Sequence, residues 1–432
     1  MPVIAVIGGQ WGDEGKGRVI DLLAEKADVV ARFSGGANAG HTVVNQHGRF
    51  ALHQVPSGIF NPQAVCIIGN GVAVDPTSLL EEIAALRKAG ISTERLYLSD
   101  RAHLVMPYHK LLDELEEKRL GQSALGTTRR GIGPTFADKA ARLGIRLADL
   151  HEPQDFRERL APILELKNAI LTKVYGCPAL DFEEVYTRYL DFGRQLGGYV
   201  RETHLLLQEA LDQDKRIILE GAQGALLDVD FGTYPYVTSS SPLAAGAAAG
   251  LGIPTRLDRA LGVYKVYATR VGAGPLPTEL DDDMGAALRA WGKEYGATTG
   301  RPRRCGWFDA VAARHSARLS GFTDIALTKL DVLDRCPTIK VCTAYVLEGQ
   351  AITSFPASSA ALARCAPVYE ELPGWQEPTQ SVRRFSDLPA RAKAYVKRLE
   401  QLLACPVGLI SVGDSREQMI QRRTFRWNAA AA

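Results

Sequence analysis

The residues most able to do chemistry start at the first glycine-rich turn. The chain reads VIAVIGGQWGDEGKGRVIDLL over 3–23. A phosphate-binding P-loop reads Gly, four residues, Gly-Lys, then Ser or Thr. Gly15-Lys16 fit, but Gln10 stands where the first Gly belongs and Gly17 where the hydroxyl belongs. A buried strand, a Gly turn and a helix starting near Glu14 still gather backbone N–H groups and a helix N-terminus at one point, which suits an anion. Lys16 would neutralise a β or γ phosphate there. On this segment alone, a plain Gly-rich strand–helix connection reads the same way. Mg2+ with a nucleotide needs hard oxygen ligands, and Asp13 is the nearest candidate.

Three further segments carry chemistry. SGGANAGHTVV (34–44) follows the second apolar run, so it belongs at the same sheet edge as the first loop. Its glycines permit close approach to a ligand, Asn38 both donates and accepts, and His41 is either a proton donor or a structural histidine. DIALTKLDVLD (324–334) delivers Lys329, Leu330 and Asp331 at a strand end. Guanine offers N1–H and its 2-amino group side by side, which one carboxylate accepts together, while a Lys two residues earlier can lie over the ring. The other reading of Asp331 is a helix cap. TTGRPRRCGWFD (298–309) packs Arg301, Arg303 and Arg304 into a Gly/Pro loop beside Thr298 and Thr299. Arg forks bind carboxylate or phosphate bidentately; a solvated basic loop is the alternative. Two more segments, 126–142 and 219–240, are dense in Thr, Gly, Gln and Arg and either line a pocket or use Gly for turns.

The elements that must position these residues alternate. Apolar runs at 3–7, 29–33, 65–68, 216–219, 261–268, 324–327 and 409–412 suit central strands of a mostly parallel sheet. Helical patterns cover 79–88, 108–119, 182–213 (broken at Gly193 or at Gly197-Gly198) and 388–404. The fold class is therefore α/β: a large, mostly parallel central sheet flanked by helices, with helical and loop insertions. The expected organisation is a single unit over 1–432 with a mostly helical subregion around 108–213. LAAGAAAG (243–250) reads as a tight helix or turn contact. The 432 residues hold 51 basic and 49 acidic side chains, a formal charge of +2, which points to no nucleic-acid partner. Seven dispersed Cys, without a CxxC or Cys/His cluster, suit reduced thiols in the cytoplasm rather than disulfides or zinc. No signal peptide and no membrane span is expected.

Taken together, QWGDEGKG, GANAGHT, GTTRRGIGP, EGAQG, GTYPYVTSS, TRVGAGPLPTEL, TTGRPRRCGW, TKLDVLD and SVG, in this order along nearly the whole chain, resemble the adenylosuccinate synthetase family. The resemblance implies a GTP-driven ligase that joins inosine monophosphate (IMP) to L-aspartate, giving adenylosuccinate, GDP and phosphate through a 6-phosphoryl intermediate. It implies that Asp13 removes the N1 proton of IMP and that His41 donates toward the departing GDP. GTP would be held by Gly12, Asp13, Glu14, Gly15, Lys16, Gly17, Arg18, Gly40, His41, Thr42 and Arg303. Its guanine would be read by Lys329, Leu330 and Asp331, with Ser411, Val412 and Gly413 closing over it. IMP would meet Asp13, Lys16, Asn38, His41, Thr128, Gln223, Thr238 and Arg301, and Arg142 of a neighbouring subunit, which implies a homodimer. Aspartate would be gripped by Thr298, Thr299, Gly300, Arg301 and Arg303. One Mg2+ per subunit would sit on Asp13 and the Gly40 carbonyl. The chain departs from the family's pattern at Arg129-Arg130, at Ser241-Pro242-Leu243 and at Asp414. The first two bear on IMP binding or the dimer contact, the third on the guanine pocket.

Overall fold

The structure, a computed structural model, describes residues 3–254, 257–296 and 300–423. Its centre is a ten-stranded sheet. In sheet order the strands are Met419–Gln421, Val407–Ser411, Asp324–Thr328, Arg259–Lys265, Val3–Gly8, Ile217–Glu220, Val29–Arg32, Val65–Ile68, Leu96–Ser99 and Val200–Arg201. All neighbours run parallel except the terminal Met419–Gln421, which is antiparallel to Val407–Ser411.

The first strand shows why these runs are apolar on both faces. Ile4 and Val6 point into one core, shared with Val30, Ile68 and Leu98. Val3, Ala5 and Ile7 point into another, shared with Ala31, Ile67 and Leu219. Side chains alternate across a strand, so a strand covered on both faces needs an unbroken apolar run. A third core surrounds the far end of the sheet, with Ile325, Leu327, Val407, Ile410 and Leu399.

Helices Lys16–Ala24, Pro76–Lys88, Ala310–Ser320 and Ala390–Leu403 accompany the sheet, and 107–212 holds five more: Pro107–Leu120, Ile132–Ala141, Pro153–Lys173, Phe182–Leu196 and Thr203–Asp212. The core that contains Ile4 and Val6 also contains Phe156, Leu160, Tyr189 and Leu196, so this helical region packs on the sheet. The break in the 182–213 pattern falls at Gly197-Gly198, because Val200–Arg201 leaves the helix to pair with Leu98 and Ser99. Several boundaries differ from the sequence reading: the helix at 79–88 starts at Pro76 and the strand at 409–412 spans Val407–Ser411. The first helix begins at Lys16, one turn-residue after the left-handed Gly15. The run 261–268 is two strands, Arg259–Lys265 and Ala268–Arg270, separated at 266–267. The 243–250 segment forms the short helix Gly246–Leu251, and a Cβ on Gly250 would sit 2.2 Å from the Phe33 carbonyl oxygen.

Candidate active site

The glycine-rich turn after the first strand is built from its own side chains. Gly12, Asp13 and Gly15 all take positive φ (87°, 60° and 89°), so the chain doubles back between strand and helix. The fully buried Glu14 turns inward and accepts from the backbone N–H groups of Gln10 (3.0 Å) and Gly12 (2.9 Å) and from Lys16 Nζ (2.8 Å). Gln10, the residue that breaks the P-loop pattern, fixes the loop to the neighbouring strand end. Its Oε1 accepts from Lys265 N at 2.9 Å and its Nε2 donates to Tyr267 O at 3.0 Å. Gly17 sits tightly against the His41 segment: a Cβ there would meet His41 Cβ at 3.0 Å and Thr42 O at 3.3 Å, so a side chain would press on both.

Asp13 is tied to a line of charges. Arg303 Nε donates to its Oδ2 at 2.8 Å, and Arg303 Nη1 reaches Glu294 Oε2 at 2.6 Å. Glu294 is fully buried and also accepts from Lys265 Nζ (2.7 Å) and Tyr267 OH (2.5 Å). Burial alone would raise the Glu294 carboxyl, but Lys265 and Arg303 outweigh it and bring it down to about 2. Glu294 is therefore an anion that holds Arg303 from behind while Asp13 holds it in front.

His41 opens a short hairpin, His41–Asn45 with Gly48–Leu52, an element the sequence reading did not assign. Its Nδ1 makes a very short contact with Glu220 Oε1. Glu220 closes the strand Ile217–Glu220 and accepts from Ser57 N (2.8 Å) and Ser57 Oγ (2.9 Å). Burial, opposed by Glu220, sets the His41 pKa below the ordinary imidazole value. The Glu220 carboxyl is held low because His41, Arg32 and Ser57 together outweigh its burial. His41 Nε2 is buried with no partner among the described residues.

Asp13, Lys16, Asn38, Gly40, His41, Thr128, Gln223, Thr238 and Arg301 all line one cavity of about 360 Å³. Gln223, at φ 57°, donates from Nε2 to Asn38 Oδ1 at 3.0 Å. Gln223 Oε1 and Thr238 Oγ1 are buried without partners among the described residues. Helix Pro107–Leu120 holds the Thr128 loop: Glu117 accepts from the N–H groups of Leu125, Gly126 and Thr127, and Asp113 from Thr127 Oγ1 and Gly131 N. Arg301 Nη2 donates to Gly126 O at 3.0 Å, which joins the Arg loop to the Thr128 loop. Arg270 lines the same cavity, and four neutral acceptors (Ala273 O, Thr233 Oγ1, Pro275 O and Tyr236 O) hold its guanidinium.

The Lys-x-Asp pair stands apart from that cavity. Lys329 is left-handed (φ 64°) at the end of strand Asp324–Thr328, and its Nζ donates to Gly292 O at 2.8 Å. Leu330 is buried in the core beneath. Asp331, with Trp291, Asp334 and Gln380, lines a second cavity of about 350 Å³. Gln380 Nε2 donates to Asp331 Oδ2 at 3.2 Å, while Oδ1 is buried without a partner among the described residues, and burial raises the carboxyl. Across from it, Arg18 Nη1 donates to Ser411 Oγ (2.8 Å) and Gly413 O (2.5 Å), and Val412 is buried between them.

Arg142 is not among the residues lining the cavity: it is exposed, left-handed (φ 65°) and ends the helix Ile132–Ala141. Thr298 and Thr299 lie outside the described residues; Gly300, at φ 65°, donates its N–H to Gly296 O at 2.8 Å. Sequence reasoning missed Glu220, Glu294, Lys265 and Arg270. Glu220 had a signal, a lone carboxylate ending an otherwise apolar run. Nothing in the local residue types marked the others: the Lys265–Glu294 pair spans 29 residues, and Arg270 is held partly by backbone carbonyls, which every residue carries.

The profile of the adenylosuccinate synthetase family matches residues 5–420. An adenylosuccinate synthetase of Dehalococcoides mccartyi is 56% identical over 423 residues, 98% of this chain and 100% of its own length. That of Heliobacterium modesticaldum is 53% identical over 422 residues, 98% of this chain and 99% of its own. The solved structure of fully ligated adenylosuccinate synthetase from Plasmodium falciparum superposes with a TM-score of 0.92 at 38% identity, covering 98% of this chain and 100% of that one. A cyanophage S-2L succinoaminodeoxyadenylate synthetase bound to dGMP and dATP shares the fold alone, at a TM-score of 0.61 and 22% identity over 98% of this chain and 95% of that one. The chain belongs to the adenylosuccinate synthetase family.

Proposed function

We propose that the chain joins IMP and L-aspartate, using GTP, to give adenylosuccinate, GDP and phosphate. The observation that carries this reading is the meeting of Asp13 and His41, the latter backed by Glu220, on one cavity, beside the unpartnered Gln223 and Thr238 oxygens, with Asp331 in a second cavity. In this reading IMP occupies the first cavity and the guanine of GTP lies against Lys329 and Asp331. The Asp13 carboxylate takes the N1 proton of IMP. O6 then attacks the γ-phosphorus, the bond to the bridging oxygen breaks, and its electron pair leaves with GDP. His41 faces that oxygen through Nε2. Glu220 on Nδ1 and the incoming phosphates favour its protonated form, against the burial that lowers its pKa. The aspartate amine then displaces phosphate at C6. Arg301 and Arg303, with Thr298, Thr299 and Gly300, hold the aspartate carboxylates, and Arg303 exchanges Asp13 for substrate. Positioning and charge neutralisation supply most of the rate.

The donor set suits Mg2+. Asp13 offers a carboxylate and Gly40 a carbonyl on the same cavity, both hard oxygens. No group of three or more His, Cys, Asp or Glu could cage a metal among the described residues, which fits an ion completed by phosphate oxygens. When bound, such an ion would neutralise phosphate charge. The chain would act as one α/β unit, a reading supported by the core common to sheet and helical region. It would work as a homodimer in which the exposed Arg142 serves the neighbouring IMP site. Seven free cysteines support a cytoplasmic location; no helix among the described residues is long and apolar enough to cross a membrane.

The test is an assay with purified chain, Mg2+, IMP, aspartate and GTP, each omitted in turn. Adenylosuccinate and GDP should form only in the complete mixture. Failure to consume GTP in the complete mixture would overturn the reading.

A further inference from the structure

Asp414 follows Gly413 at the end of the strand Val407–Ser411, at the point where the two ends of the nucleotide site meet. Its Oδ1 lies 2.8 Å from Arg18 Nη2 and 3.7 Å from Lys329 Nζ. Arg18 belongs to the first turn of the phosphate-loop helix; Lys329 begins the Lys-x-Asp turn. The two cations therefore converge on one half-exposed carboxylate. Lys329 and Arg18, with Lys293 nearby, outweigh partial burial and hold that carboxyl below the ordinary range. Arg18 is fixed on its other side by Ser411 and Gly413, whereas Lys329 has one further partner in Gly292 O. Without the carboxylate, two like charges would face each other, and Lys329, held by fewer partners than Arg18, would be the one to shift.

We propose that Asp414 is a positioning residue for the guanine nucleotide, coupling Arg18 at the phosphate end to Lys329 at the base end. It touches neither phosphate nor base; as an anion it would repel phosphate and act only through the cations it aligns. The inference rests on the assignment of Lys329 and Asp331 to guanine made above. It separates Asp414 from Asp331: Asp331 reads the base edge, and Asp414 sets where Lys329 lies over the ring.

The experiment measures GDP and IDP binding by calorimetry, and KM for GTP, IMP and aspartate, on the full chain and on Asp414→Asn and Asp414→Glu. A half-exposed pair is screened, so Asp414→Asn should weaken GDP about three- to tenfold. KM for GTP should rise in parallel, KM for IMP and aspartate should move by less than about twofold, and the GDP/IDP preference should stay constant. Asp414→Glu should recover most of the loss. GDP binding unchanged in Asp414→Asn overturns the proposal. So does a collapse of the GDP/IDP preference, since the carboxylate would then read the 2-amino group itself. Equal damage from Asn and Glu, with a lowered melting temperature, assigns Asp414 to folding alone and also overturns it. A wild-type chain that binds GDP but makes no adenylosuccinate would overturn the functional reading while leaving these binding outcomes decisive for Asp414.

Discussion

Asp13 shows how much one residue can be asked to do. It sits in the left-handed region at the apex of the phosphate loop and answers to Arg303, and the proposed chemistry needs it as a base. Asp13→Asn keeps a side chain that tolerates this backbone and removes the base. We expect kcat to fall by about 100-fold or more, with an unchanged melting temperature, measured by phosphate release and thermal unfolding. A variant with most of its kcat would remove Asp13 from the mechanism. Asp331→Asn should lose the acceptor pair for guanine, and the preference for GTP over ATP should drop by about tenfold or more. Steady-state kinetics with both nucleotides checks this, and unchanged discrimination would rule out base reading by Asp331. At this scale the sequence was most legible where a residue sat in a dense local motif, although Glu220 in EGAQG and Arg270 in TRVGAGPLPTEL were passed over. Asn38 and Gln223 stood out by their Gly-rich surroundings, though not by the hydrogen bond that joins them across the cavity. Glu294 was not legible, because its partners Lys265 and Arg303 are brought to it by the fold and a lone Glu in GKEYG resembles any surface carboxylate.

Elements explain what residues cannot. The helix Lys16–Ala24 passes so close to the hairpin of His41 that Gly17 is a packing requirement as well as a departure from the P-loop pattern. Restoring the missing hydroxyl should therefore do harm. Gly17→Ser should displace His41 and lower kcat at least about tenfold, while KM for aspartate changes little. An active Gly17→Ser chain would contradict the packing argument. The helix Ala310–Ser320 gives a pH prediction. Its cap, Asp309, is buried and accepts from Val311 N, Ala312 N and Tyr345 OH, yet burial pushes its carboxyl up to about 6 from 3.8. A carboxyl raised on folding lends stability that is full below its unfolded pKa and lost as pH rises through the folded value. Asp309→Asn keeps a good cap without titrating. Relative to wild type it should gain on the order of 3 kcal/mol between about pH 4 and pH 7.5. Urea midpoints at the two pH values check this, and a constant gap would refute it. Most central strands were readable because both their faces are buried, but the interior strand Leu96–Ser99 was not, since the half-buried Tyr97 interrupts its short run. The edge strands Val200–Arg201 and Met419–Gln421 were not, being too short for any pattern to show.

Over the whole molecule, the strand Val3–Gly8 lies between Ile217–Glu220 and Arg259–Lys265, and the chain builds outward from it in both directions. Ligand sites of open α/β sheets form outside the carboxyl ends of strands at such a switch point. Here the loops carrying Asp13, Gln223 and Lys329 leave those ends. The α/β class was legible from alternating patterns, but the strand order was not, since no local signal states which runs are neighbours. If Arg142 serves the partner's site, two inactive variants should complement each other. Mixing Asp13→Asn with Arg142→Leu in equal amounts should restore about one quarter of wild-type activity, because half of the random dimers hold one intact site of two. No recovery on mixing would place Arg142 outside the partner's site. The central strand has one more consequence, which concerns time. Val3 pairs with Ile217 and Ile4 with Arg259. At about 5–20 residues per second, roughly 10–40 s of translation separate the first strand from its first sheet neighbour. Through that interval an uncharged VIAVIG segment has both edges open to mispairing. The segment that leads into the glycine-rich turn of Asp13 is thus the one left waiting longest in the nascent chain.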